Sequence, residues 1–137
     1  MKCIALFLLL FGILFSVVAA AQSTTWTDSA TKLMWAGQDN GSYVNWNQAK
    51  DYCANLRLGS YSNWRLATIE ELEGIYDQTQ NVKGNHIKGG IKLSAWIWSS
   101  SAGPYSGEAW NFNFGDGKRN SLMVASAALS ALCVRRP

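Results

Sequence analysis

Histidine is almost missing from this 137-residue chain: His86 stands alone. A Ser-His-Asp arrangement or a histidine-rich zinc site therefore has one imidazole to draw on. It lies in a Gly-bearing stretch, Gly84 to Gly90, that reads as a mobile, solvated loop rather than a preorganised site. Charge is also sparse. Charged residues make up 15% of the chain, against about a quarter in ordinary soluble domains. Proline occurs twice, as Pro104 and Pro137, so no Pro-rich linker divides the sequence, and no internal repeat is visible. Cysteine is limited to three residues, Cys3, Cys53 and Cys133. Too few thiols and imidazoles exist for a zinc cluster. No catalytic residue is assigned, and a non-enzymatic role is expected.

What is abundant lies first at the N-terminus. Lys2 precedes an apolar run from Ile4 to Ala21, which ends in the small-residue triplet Ala19-Ala20-Ala21. This is the pattern of a cleaved signal peptide over residues 1–21, followed by a single domain over 22–137. A secreted or periplasmic location follows, with no stable membrane span after cleavage. Losing Lys2 from twelve basic residues, against nine acidic ones, leaves a mature charge of +2. That is too weak to imply nucleic-acid binding. Cys3 departs with the leader. Cys53 and Cys133 remain as an even pair in an oxidising compartment and predict one disulfide, the other state being two buried thiols. Closing a loop from position 53 to 133 is worth roughly 4 to 5 kcal/mol in the chain-entropy treatment.

Local signals outline two helices and several short strands. Thr25 to Asp28 and Lys32 to Ala36 read as strands around a turn. Asn45 with Gln48 can cap a helix that carries Ala49, Tyr52, Cys53 and Leu56 on one face. Thr68 and Glu71 have capping-box spacing before a second helix over about Ile69 to Tyr76. Trp64 and Arg65 lie just ahead of it, and Arg65 is expected to pair with one of Glu70, Glu71 and Glu73. Those carboxylates suit a first helical turn better than an acid–base pair. Trp96 to Ser100 reads as a strand with Trp96 and Trp98 on one face. Glu108 to Phe114 alternates, with Trp110, Phe112 and Phe114 on one side and Asn111 and Asn113 on an exposed side. Ser121 to Ala125 and Leu132 to Arg135 read as closing strands. Early helices followed by short strands indicate an α+β fold with an antiparallel sheet. Seven tryptophans occur, and about five are expected in the core.

The landmarks Thr31-Lys32-Leu33-Met34-Trp35, Trp46, Ala49, Cys53, Asn63-Trp64-Arg65-Leu66, Thr68-Ile69-Glu70-Glu71-Leu72, Trp98-Ser99-Ser100, Ala109-Trp110, Phe114-Gly115 and Cys133-Val134-Arg135 span nearly all of the mature chain. Together they resemble a bacterial extracellular family, the C-terminal domain of the Lcl collagen-like adhesin. The family usually shows Asp-Trp-Arg-Leu-Pro-Thr, where this chain has Asn63 and Ala67. The resemblance implies a C-type lectin-like fold, two helices packed on a short-stranded antiparallel sheet, with a disulfide from the first helix to the last strand. It also implies binding of sulfated polysaccharide.

The segment Gln78 to Ser94 carries Lys83, Lys88 and Lys92 with no acid. With Lys118 and Arg119, and with Arg135 and Arg136 beyond them, these residues are the expected ligand-binding set for a polyanionic glycan or a surface protein. A structural or protein-interaction domain without a glycan site is the other reading. Calcium is the ion a lectin-like fold invites, and Asp39, Asn40, Asn111, Asn113 and Asp116 carry suitable oxygens. The Glu-Pro-Asn, Gln-Pro-Asp and Trp-Asn-Asp signatures of calcium-dependent lectins are absent, so no cofactor and no metal site are expected.

Overall fold

A computed structural model describes residues 24–137. The leader expected over 1–21 lies outside the described residues. Strands β1 (Thr25–Thr27) and β2 (Met34–Ala36) form a hairpin with Trp26 opposite Trp35. Asp28 organises the turn: its carboxylate accepts from the Ala30 N–H and the Thr31 hydroxyl, each at 3.1 Å. Helix α1 (Trp46–Asn55) and helix α2 (Ile69–Gly74) flank β3 (Arg65–Leu66). The strands β4 (Ile97–Ala102), β5 (Glu108–Asn113) and β6 (Lys118–Met123) follow, and β7 (Cys133–Arg135) closes the chain. Two antiparallel sheets result, ordered β1-β2-β7-β3 and β4-β5-β6. The fold is α+β.

Both capping boxes form. Asn45 accepts from the Gln48 N–H at 2.8 Å while the Gln48 carboxamide oxygen accepts from the Asn45 N–H at 2.9 Å. Thr68 and Glu71 repeat the exchange at 3.1 and 2.9 Å. Each box satisfies two N–H groups that helix geometry leaves without partners. Cys53, on the buried face of α1, bonds to Cys133 of β7. The helix and the last strand of the first sheet are thus covalently joined. Arg65 meets Glu71 through two parallel hydrogen bonds, at 2.7 and 2.8 Å. Asn63 takes a left-handed backbone, φ 63°, which Asn tolerates better than most residues. Ala67 is buried, and its carbonyl accepts from the Ser100 N–H at 2.8 Å. The start of α2 is therefore held without a proline at position 67.

The core runs between the sheets and helices: Trp35, Trp98, Phe112, Phe114, Ile69, Leu72, Leu132 and Val134 are all fully buried. Trp64 is buried too, and Trp26, Trp46 and Trp110 pack against this core from its edges. The indoles also tie elements together. Trp46 donates to the Ser99 carbonyl at 2.7 Å and Trp98 to the Val44 carbonyl at 2.9 Å.

Four local expectations change. Trp96 and Trp98 do not share an environment: β4 begins at Ile97, so Trp96 precedes the strand and is exposed while Trp98 is buried. The Asn111 side of β5 is not exposed. Asn111 is buried opposite Trp98 on one neighbour and Asn120 on the other, and directly opposed residues share a sheet face. The strand expected over Ser121 to Ala125 starts earlier, at Lys118, which puts Lys118 and Arg119 on a strand. Finally, the Gly84 to Gly90 stretch is anchored, not mobile. Asp77 N–H donates to the His86 carbonyl at 3.0 Å, His86 N–H to Phe114 at 2.8 Å and Lys88 N–H to Ile75 at 2.9 Å. Ile87 and Ile91 are fully buried.

Candidate functional site

The anchored segment positions the lysines. Val82 and Asn85 exchange backbone hydrogen bonds at 2.8 and 3.1 Å around Lys83 and Gly84. Both central residues have positive φ, 51° and 90°, the geometry of a primed two-residue hairpin turn. Asn81 accepts from the Gly84 N–H at 2.8 Å and braces it. Lys83 thus stands at a rigid tip. Beyond it a short 3-10 turn, Lys88–Gly90, seats Gly89 against the Trp26 ring. A Cβ at position 89 would fall 2.2 Å from that ring, so only glycine permits the approach. The chain then pairs with the β2 exit: Asp39 N–H donates to the Lys92 carbonyl and Lys92 N–H to Gly37, each at 3.0 Å.

These connections leave an open depression of about 260 Å³ lined by Gln38, Asn40, Tyr52, Lys83, Lys92 and Leu93, with Asp39 and Ser94 also on its wall. Asp39 is its one carboxylate, and it is committed internally. One oxygen accepts from the Gly41 N–H at 2.9 Å, the other from the Ser94 N–H at 2.7 Å and the Ser94 hydroxyl at 2.8 Å. The charge there is balanced by donors within the fold, and the cations facing the opening are Lys83 and Lys92.

The other expected ligand residues are placed differently. Lys88 lies near Asp77, whose carboxyl is held below its ordinary value mainly by hydrogen bonds from Thr79, with the Lys88 charge adding to the effect. Arg119 pairs with Glu73 of α2 and lies over the Trp110 ring, 5.1 Å from its centroid. Lys118 is exposed beside it at the start of β6. Arg135 is half-buried: it donates to the Ser62 carbonyl at 2.9 Å and stacks on Tyr61 at 4.5 Å. The structure places Lys83 and Lys92 on one depression, sets Arg119 against Glu73 and bonds Arg135 to Ser62.

His86 is also engaged, its Nδ1 2.7 Å from the Gln80 carbonyl oxygen and its ring edge-on to Tyr76. Among the described residues no group of three or more His, Cys, Asp or Glu side chains is placed to hold a metal ion. No helix among them is long and apolar enough to cross a membrane.

Glu71 is half-buried beside Arg65. Burial pushes its carboxyl up, but the Arg65 hydrogen bonds, the Thr68 N–H and the guanidinium charge together outweigh this and hold it below its ordinary value. With both partners occupied, this pair is structural.

Sequence reasoning missed Tyr43 and Asn85 and set Trp96 on one strand face with Trp98. The three line a second depression of about 560 Å³ together with Asn113 and Lys83. A signal was present for Tyr43 and Trp96: each follows a short polar or small-residue run, Gly41-Ser42 and Ser94-Ala95, where a strand has not yet begun.

The model of the Lcl C-terminal domain matches residues 24–135, essentially all of the described chain. The chain belongs to the Lcl C-terminal domain family. The match includes both cysteines of the disulfide, the Trp64-Arg65 segment and the groove residues from Gln38 to Asn113. No curated protein matches the chain. In this Lcl C-terminal domain, Trp64, Arg65, Thr68 and Glu71 sit at the β3–α2 corner and brace it. The depressions are formed mainly by the loops around it.

Proposed function

We propose that this Lcl C-terminal domain is an exported, non-catalytic binding module for acidic or sulfated polysaccharide, built on a C-type lectin-like frame. The observation that carries the reading is the depression in which Lys83 and Lys92 face solvent while its one carboxylate, Asp39, is committed to Gly41 and Ser94. A concave cationic surface concentrates a polyanion and steers it in, and salt screens the attraction. The tie from α1 to β7 supports the lectin-like frame, since it joins the first helix to the last strand as that fold would require. The leader-like N-terminus and the disulfide support export.

Retention on a heparin column at low salt tests this. The parent domain is expected to bind and to elute as salt rises. The variant Lys83→Glu/Lys92→Glu is expected to pass through, whereas Lys88→Glu elutes near the parent position because Lys88 faces Asp77. A parent domain that is unretained at low salt overturns the proposal. Equal losses from Lys88→Glu and the double variant would replace the depression with diffuse charge.

A further inference from the structure

Two exposed aromatic side chains line one concave place. Trp96 is 42% exposed and Tyr43 70%, and both line the 560 Å³ depression, with Leu129 among the residues between them. A scattered exposed aromatic needs no explanation, but two in one hollow on fixed backbone do. One short segment fixes both. Val44, next to Tyr43, exchanges backbone hydrogen bonds with Leu129 at 2.8 and 3.0 Å. Trp96 accepts at its carbonyl from the Ser130 N–H at 3.0 Å, and the Ser130 carbonyl accepts from Trp98 N–H at 3.0 Å. Consecutive residues, Leu129 and Ser130, therefore clamp the two aromatic positions. Side chains presented this way lose little freedom on binding.

Apart from the Tyr43 hydroxyl, the polar side chains of the same hollow are two neutral amides, one cation and the Ser94 hydroxyl, which donates to Asp39. Asn113 has its carboxamide oxygen turned to the Gly115 N–H at 2.8 Å, which leaves its NH2 as the donating end. Asn85 sits at the base of the Lys83 turn, its backbone paired with Val82. An aromatic face with a few placed amides suits a pyranose ring, which offers a C–H face and a rim of hydroxyls. The hollow is also not isolated. It shares Lys83, Leu93 and Ser94 with the cationic depression, and that depression shares Gln38 and Lys92 with a third hollow of about 380 Å³ lined by Leu58, Gly89 and Gly90.

We infer that Tyr43, Trp96, Asn85 and Asn113 form a ring-stacking subsite at one end of a continuous trough, so that the ligand is an extended acidic glycan with one sugar seated on Trp96 and its anionic groups along Lys83 and Lys92. This rests on the reading of the protein as a polyanion-binding module and adds to it a demand for sugar rings as well as charge.

Two probes separate the contributions. Heparin-derived hexasaccharide supplies charge and pyranose rings; inorganic polyphosphate of similar charge supplies charge alone. Binding of each is measured by calorimetry for the parent, Trp96→Ala, Tyr43→Ala and Lys83→Glu/Lys92→Glu, with thermal melts confirming that each variant is folded. Trp96→Ala is expected to weaken hexasaccharide binding about tenfold, a size consistent with the loss of one aromatic contact, and to leave polyphosphate binding unchanged. Tyr43→Ala is expected to act in the same sense and less strongly. The double lysine variant should lose both ligands. Tryptophan emission of the parent should shift with the hexasaccharide and not with polyphosphate. Unchanged hexasaccharide affinity in Trp96→Ala, alongside a loss in the lysine variant, overturns the subsite and keeps the polyanion reading. Equal losses of both probes in Trp96→Ala also overturn it. A parent that binds neither probe overturns both proposals.

Discussion

The helical corner, Asn45 to Ile75, and the segment that follows it, Tyr76 to Ser94, differ in one respect: the corner's two helices carry their own caps, and the segment has no helical cap of that kind. In the corner, each helix brings its own cap, through bonds between residues three to six apart: Asn45 with Gln48, Thr68 with Glu71, Arg65 with Glu71. The Trp46 indole, Ala67 and β3 then tie it to distant chain. In the segment, the hydrogen bonds include several to distant chain: His86 to Phe114, Lys92 to Gly37 and Ser94 to Asp39. Its buried side chains, Ile87 and Ile91, enter a core made by other elements. The difference explains a division of labour. The capped helices supply a frame, while the segment carries Lys83 at the tip of a tight turn.

The largest test concerns the one covalent tie of the corner. Cys53 and Cys133 are 80 positions apart, and opening such a loop is expected to cost about 4 to 5 kcal/mol, less if the reduced chain keeps residual structure. The variant Cys53→Ala/Cys133→Ala, unfolded in urea beside the parent, measures it. A loss under about 1 kcal/mol would mean that the capped corner needs no bond to β7. A large loss with hydrogen-exchange protection falling equally in both regions would mean that the two unfold together.

Next comes the segment. Ile91→Ala removes a fully buried side chain, and is expected to cost about 2 to 4 kcal/mol, as large-to-small changes in a packed core do. A surface loop would lose less than about 0.5 kcal/mol on the same change. Urea unfolding of Ile91→Ala therefore decides whether residues 76–94 belong to the core, as the structure places them. Because Lys92 follows directly, a destabilised segment should also weaken retention of the variant on heparin.

The contrast also sets what could be read from the chain. The capping boxes, the α+β order, the partner class of Arg65 and the cysteine pair were legible because each depends on residue types at short spacing or on a simple count. The start of β4 was not. Trp96 and Trp98 satisfy the strand period equally well, and only the pairing of Ile97 with Phe112 and Ser130 decides which one is buried. The burial of Asn111 was hidden for the same reason, since alternation marks two faces but not whether both are covered. Glycine-rich composition suggested motion in 84–90. The opposite holds because Gly89 is required for contact with Trp26 and Gly84 for a tight turn. Among the basic residues singled out, composition could not separate Lys83, at a turn tip, from Arg119, whose partner Glu73 lies on a different element.

The smallest effect returns to the corner and is set by pH. Glu71 has its carboxyl held below the ordinary value of 4.5 in the folded state. A group depressed on folding contributes stability that is fully present above its unfolded value and lost as pH falls through its folded one. Stability should therefore decline as pH drops below about 4.5. Glu71→Gln keeps the N3 residue type of a capping box and its size but removes the charge that Arg65 meets. At neutral pH it should cost about 0.5 to 1.5 kcal/mol, since the pair is partly screened by solvent. Its unfolding midpoint in urea should also fall less than that of the parent between pH 6 and pH 3.5. Parallel declines in the two proteins would show that groups other than Glu71 govern acid unfolding. The acid-sensitive tie would then lie outside the Arg65–Glu71 corner.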